Sequence, residues 1–154
     1  MDLSTILNSR AVRSLESIPD KRSLIRHVSG VAALVYKLDT STVLQVLTDR
    51  EKLGSTGVGR GIAIPHARME GLPKVIGLFT RISSPVDFGS IDNRPVDLVF
   101  TLLAPAGEGA EHLKALAMVS RTLRDKAVCD KLRANVSPQT LFTILCQASL
   151  PKAA

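Results

Sequence analysis

Apolar residues recur at helical spacing from Ser23 to Tyr36, where Leu24, Ile25, Val28, Val31, Ala32 and Val35 share one stripe. That spacing predicts an amphipathic helix, and Asp20 or a neighbour can cap it. His27 falls beside the stripe, near Arg22 and Arg26, and reads as a surface histidine. A second helix is expected over 41–53, capped by Asp39-Thr40-Ser41, with Val43, Val46 and Leu47 on its apolar face. Arg50 projects onto the middle of that face, while Asp49, Glu51 and Lys52 point elsewhere. A long helix over 110–125 has a candidate stripe of Leu113, Leu116, Ala117, Ser120 and Leu123. Two shorter helices follow at 126–132 and 138–147.

Between the helical segments lie short apolar runs bounded by turn residues. Strands are predicted at 62–64, 75–81 and 96–103, with a further one near 12–15. Pro85, Gly89-Ser90 and Asn93-Arg94-Pro95 punctuate the turns. Helices interspersed with strands predict a single-domain α/β sandwich, a mixed sheet with helices on both faces. The domain is expected to span 1–150, with a frayed tail at 151–154.

Composition narrows the picture. A chain of 154 residues can bury about 70% of its extended surface, so it needs no disulfide or metal to fold. Hydrophobic residues make up 45%, yet there is no Trp, one Tyr and four Phe, so the core must be mostly aliphatic. Cys129 and Cys146 have no paired spacing and read as free thiols in a reducing compartment. The first residues lack a basic-then-apolar leader, and no run reaches the ~20 apolar residues of a membrane span. A cytoplasmic protein is expected. The net charge of +6 is scattered, apart from Lys21-Arg22 with Arg26 and a late group of Arg121, Arg124, Lys126, Lys131 and Arg133. Aromatic residues are not interleaved with these charges, which argues against nucleic acid. Solvated helix faces explain most of them, and a mild preference for acidic partners or anionic ligands remains.

Candidate chemistry concentrates in one segment. Gly54-Ser55-Thr56-Gly57-Val58-Gly59-Arg60-Gly61 leads through Ile62-Ala63-Ile64-Pro65 to His66. The loop lacks the Gly-Lys-Ser/Thr ending of a Walker A sequence. It also leads into a strand, whereas a dinucleotide fingerprint opens a helix. His66 and His112 are far apart, and no Cys or carboxylate near them has zinc-ligand spacing. A histidine nucleophile fits what is left. Neutral imidazole is a fair nucleophile near pH 7, and phosphoryl transfer asks the protein mainly for alignment and charge stabilisation. Glycine-rich backbone can aim N–H groups at an anion, with Ser55 and Thr56 adding hydroxyls. Strand alternation puts Ile62, Ile64 and His66 on one face, and Pro65 suits a strand end or edge. Arg50 could reach an anion there, or merely snorkel at its helix end. His112, in the first turn of the 110–125 helix, could bond a phosphate oxygen or simply be exposed.

The run Thr48 to Gly57, followed by Gly61-Ile62-Ala63-Ile64-Pro65-His66, resembles the enzyme IIA domains of the phosphoenolpyruvate phosphotransferase system, mannitol/fructose class. It looks like the nitrogen-related IIA in particular. Ile91-Asp92-Asn93-Arg94-Pro95-Val96-Asp97-Leu98 and Glu111-His112-Leu113 extend the likeness to nearly the whole chain. The resemblance implies a phosphotransferase with a phosphohistidine at His66 Nε2. An HPr-like carrier would charge it, and that carrier would be charged by enzyme I from phosphoenolpyruvate. It also implies that Arg50 and His112 support the pocket and that Ser55 and Thr56 form its hydroxyl-bearing loop. Arg60 has no assigned role, and no metal or cofactor is implied. The expected function is a regulatory phosphocarrier whose targets are proteins such as transporters or kinases of potassium and nitrogen metabolism. A sugar-specific IIA that hands its phosphate to a IIB domain is the first alternative. An unphosphorylated binding module is the second.

Overall fold

Two aspartates start the first helices. Asp20 accepts from Ser23 N at the head of Lys21–Tyr36 (α1), and Asp39 accepts from Thr42 N at the head of Thr40–Lys52 (α2). The structure, a computed structural model, describes residues 2–107 and 109–151. The expected tail thus lies, past Pro151, outside the described residues. The strands are Leu7–Leu15 (β1), Gly57–Gly59 (β2), Ile62–Ala63 (β3), His66–Met69 (β4), Ile76–Val86 (β5) and Val96–Pro105 (β6). Glu111–Arg124 (α3), Lys126–Arg133 (α4) and Pro138–Ala148 (α5) complete the chain.

The sheet is mixed, in the order β1-β5-β6-β3-β2, with β4 also on β6. β1 runs parallel to β5, β5 antiparallel to β6, and β3 and β4 parallel to β6. Most of β5 and β6 is buried, as central strands covered on both faces must be. α1 and α2 pack together, and α3, α4 and α5 form a second packed series, so helices flank the sheet as expected. The core is aliphatic around three buried phenylalanines, Phe79, Phe88 and Phe100. Phe79 and Phe100 are cross-strand partners with centroids 6.2 Å apart. Gly77 makes room for the second ring, since a Cβ there would sit 2.7 Å from Phe100 Cε1.

Several expectations change. The buried stripe of α3 is Ala115, Met118, Val119, Thr122 and Leu123; Leu113 is 58% exposed. Counting leucines selected the wrong face. The smaller Ala115 and Thr122 let the helix approach the sheet, and Thr122 satisfies its hydroxyl on Met118 O, 2.8 Å away. His27 is half-buried, because α1 packs on β1, β5 and α2 and its flank is closed as well. Its Nε2 is buried without a hydrogen-bond partner among the described residues. Pro85 lies within β5, exposed, beside a register shift between Arg81 and Val86.

Candidate functional site

Ile62 pairs with Leu98 and His66 with Leu102. The two short strands therefore run along β6 in one unbroken register, interrupted only at Ile64-Pro65. Pro65 cannot donate, but its carbonyl accepts from Leu102 N at 2.9 Å. The interruption sets the orientation of His66. Its Nδ1 lies 2.7 Å from Ile64 O. A carbonyl only accepts, so Nδ1 carries the proton and Nε2 keeps a lone pair.

His66 lines a recess of 220 Å³ with Arg50, Arg68, His112 and Leu116. The structure thus brings together three residues singled out by sequence, from α2, β4 and α3. Arg50 is half-buried and donates from Nη1 to Gly54 O at 3.0 Å. Arg68 was given no role by sequence, although it lies two residues beyond His66 on a strand and so shares its face. Its guanidinium donates to Gly107 O and lies 2.9 Å from the ring nitrogens of His112. His112 Nδ1 lies 3.1 Å from Gly109 O and must be the protonated nitrogen, so Nε2 is the one that accepts from Arg68. Among the described residues, no acidic side chain lines the recess. α3 follows Ala110 without a side-chain cap, and the one carboxylate in its first turn, Glu111, lies 3.6 Å from Lys114 Nζ, so N–H groups at its start stay free for an anion. Two guanidinium groups and a helix N-terminus around an imidazole lone pair favour an anion.

Ser55 and Thr56 do not line this recess, and both hydroxyls are engaged. Ser55 Oγ donates to Phe88 O at 2.9 Å and accepts from Gly57 N at 3.0 Å. Thr56 is buried and donates to the Glu51 carboxylate, which also accepts from Thr56 N at 3.2 Å. Glu51 ends on Lys21 Nζ, 2.7 Å away. Sequence reading missed Glu51 because its position beside the apolar stripe looks solvent-facing. The glycine-rich stretch is not an open cradle either. β2 and β3 form a hairpin with Arg60-Gly61 at its turn, at φ 58° and 80°. Positive φ at both turn residues is the pattern of a two-residue type I′ turn.

The phosphoenolpyruvate-dependent sugar phosphotransferase system EIIA 2 family matches residues 5–148. The chain belongs to this IIA family. It is 42% identical over 145 residues to a nitrogen regulatory protein of Bradyrhizobium diazoefficiens, covering 94% of this chain and 95% of that one. A fructose-specific EIIA component of Haloferax volcanii is 33% identical over 147 residues, covering 95% and 96% of the two chains. The nitrogen regulatory protein IIA-Ntr from Neisseria meningitidis has the same fold, with a TM-score of 0.83 at 33% identity over 92% of this chain and 97% of that one. These likenesses support a phosphocarrier with a regulatory role. Among the described residues of this IIA protein, no helix is long and apolar enough to cross a membrane.

Proposed function

We propose that His66 Nε2 is the phosphoryl acceptor and that an HPr-like carrier, in a chain fed by phosphoenolpyruvate and enzyme I, is the donor. The observation that carries this reading is the 2.7 Å contact from Nδ1 to Ile64 O, which leaves Nε2 as a nucleophile beside Arg50 and Arg68. In the transfer, the Nε2 lone pair forms the new P–N bond while the donor's bond to phosphorus breaks. Nδ1 keeps its proton, and the Ile64 carbonyl stabilises the positive charge that develops on the ring. Arg50 and Arg68 hold the phosphoryl oxygens, as the planar fork of guanidinium suits. His112 acts through Arg68, holding it by the Nε2 contact.

The phosphorylation state then governs which cytoplasmic target proteins bind, in nitrogen- or potassium-type regulation, as the nitrogen regulatory relatives support. The test is phosphorylation with phosphoenolpyruvate, enzyme I and an HPr-like carrier. The wild type is expected to gain an acid-labile, base-stable label, and His66→Ala none. A label retained on that variant overturns the assignment. Passage of the label to a sugar-specific IIB protein would favour the role named for the fructose-specific relative.

A further inference from the structure

The hairpin turn, the β5–β6 loop and the junction of α3 with α4 meet at a second recess, of 230 Å³. Arg60, Arg94, Arg124, Lys126 and Arg133 line it, together with Asp130. Two of the cations are matched. Arg133 donates to both Asp97 oxygens, at 2.8 and 3.0 Å, and to Arg60 O at 2.8 Å. Lys126 pairs with Asp130 at 2.9 Å. The guanidinium groups of Arg94 and Arg124 have no acidic partner among the described residues, and Arg60 reaches only Arg124 O, at 3.5 Å.

The fold imposes this convergence. One carboxylate, Asp92, accepts from Arg60 N at 2.8 Å and Arg94 N at 3.1 Å, tying the hairpin turn to the loop. Arg60 keeps its place at φ 58°, where glycine or asparagine is usual. Non-glycine backbone held in such a region points toward function. Three guanidinium groups without salt-bridge partners, offset nearby only by the Asp92 carboxylate, repel one another, and a bound anion relieves that repulsion.

We propose that this recess binds the diphosphate group of a small phosphorylated compound. The five cations, less Asp92, Asp97 and Asp130, leave two positive charges, a surplus that an anion would balance. Each free guanidinium fork takes two oxygens, and a diphosphate ester has five non-bridging ones and free diphosphate six, against four oxygens on orthophosphate. The small volume suits a compact anion. A protein partner would need a contact face of roughly 800 Å².

The test is calorimetric titration of the full chain at low salt with inorganic pyrophosphate, orthophosphate and ADP, with amide chemical-shift mapping. Saturable 1:1 binding of pyrophosphate is expected, about tenfold tighter than orthophosphate and weakened by salt. Shifts should centre on Arg60, Arg94 and Leu123. The paired change Arg94→Gln and Arg124→Gln should weaken binding about tenfold or more, with an unchanged thermal midpoint because both side chains are exposed. Arg60→Asn, which tolerates the left-handed turn, should weaken it too. ADP binding tighter than pyrophosphate would assign the site to nucleotides; weaker ADP binding would assign it to free diphosphate. No saturation at millimolar pyrophosphate overturns the proposal, as does undiminished binding by the paired variant. Shifts confined to the His66 recess, or to the groove between α1 and α2 lined by Arg22, Arg26 and Lys52, do the same. If pyrophosphate fails to bind while the paired variant slows phosphorylation by the carrier, the cluster is a docking face for an acidic protein and the proposal falls.

Discussion

At the scale of single residues, Arg68 and His112 act as one unit. Arg68→Gln is expected to slow phosphoryl transfer to His66 about tenfold, with stability changed by less than about 0.5 kcal/mol because Arg68 is exposed. If His112 works only by holding Arg68, then His112→Ala added to Arg68→Gln should cost little more. A double-mutant cycle on single-turnover rates measures that non-additivity; additive losses would give His112 its own phosphate contact. His27 makes a different prediction. Burial, aided by the charge of Arg13, holds its pKa below the ordinary 6.5. The folded chain therefore binds fewer protons here than the unfolded one. The stability it contributes is complete above about pH 6.5 and is lost as pH falls through the lower folded value. The thermal midpoint should drop between pH 7 and pH 5, and His27→Gln should flatten that drop. His66, Arg50 and His112 were legible because each breaks a local pattern: a histidine after a strand-ending proline, an arginine on an apolar stripe, a histidine at a helix start. Arg68 and Glu51 broke none, since their partners lie tens of residues away or on another element.

At the scale of elements, the hairpin of β2 and β3 depends on Gly61. A Cβ there would meet Arg133 Nη2 at 2.7 Å and Asp97 Oδ1 at 2.8 Å, and φ is 80°. Gly61→Ala should cost about 1–3 kcal/mol in denaturant unfolding, whereas Gly71→Ala, equally positive in φ but with open space around it, should cost only the backbone strain. The helices were readable to within a few residues because their stripes and caps are local signals. The first strand of the hairpin was not, since Gly57, Gly59 and Gly61 leave no alternation to read, and β4 was not, since four residues ending in Met69 carry too short a pattern. The face of α3 was misread for a related reason: which of two adjacent stripes is buried depends on how closely the sheet allows the helix to approach.

For the molecule as a whole, Glu51 joins separate parts. It links α2 to Lys21 of α1 and to Thr56 ahead of the hairpin, with only 6% of its side chain exposed. Glu51→Ala strands Lys21, itself 28% exposed, and the Thr56 N–H, and should cost about 3 kcal/mol by denaturant unfolding. The layered architecture was legible from the succession of patterns, but such ties between layers exist only once the chain is folded. The shared register of β3 and β4 on β6 has a further consequence for signalling. The acceptor imidazole and Arg68 share β4, which is held in register along the buried strand β6, while Arg50 comes from the end of α2. Phosphorylation would thus add negative charge at a fixed point without asking the scaffold to move. A target would then distinguish the two forms by their electric field and not by their shape. Hydrogen exchange along β5 and β6 should be the same in both, and the discrimination should fade as ionic strength rises.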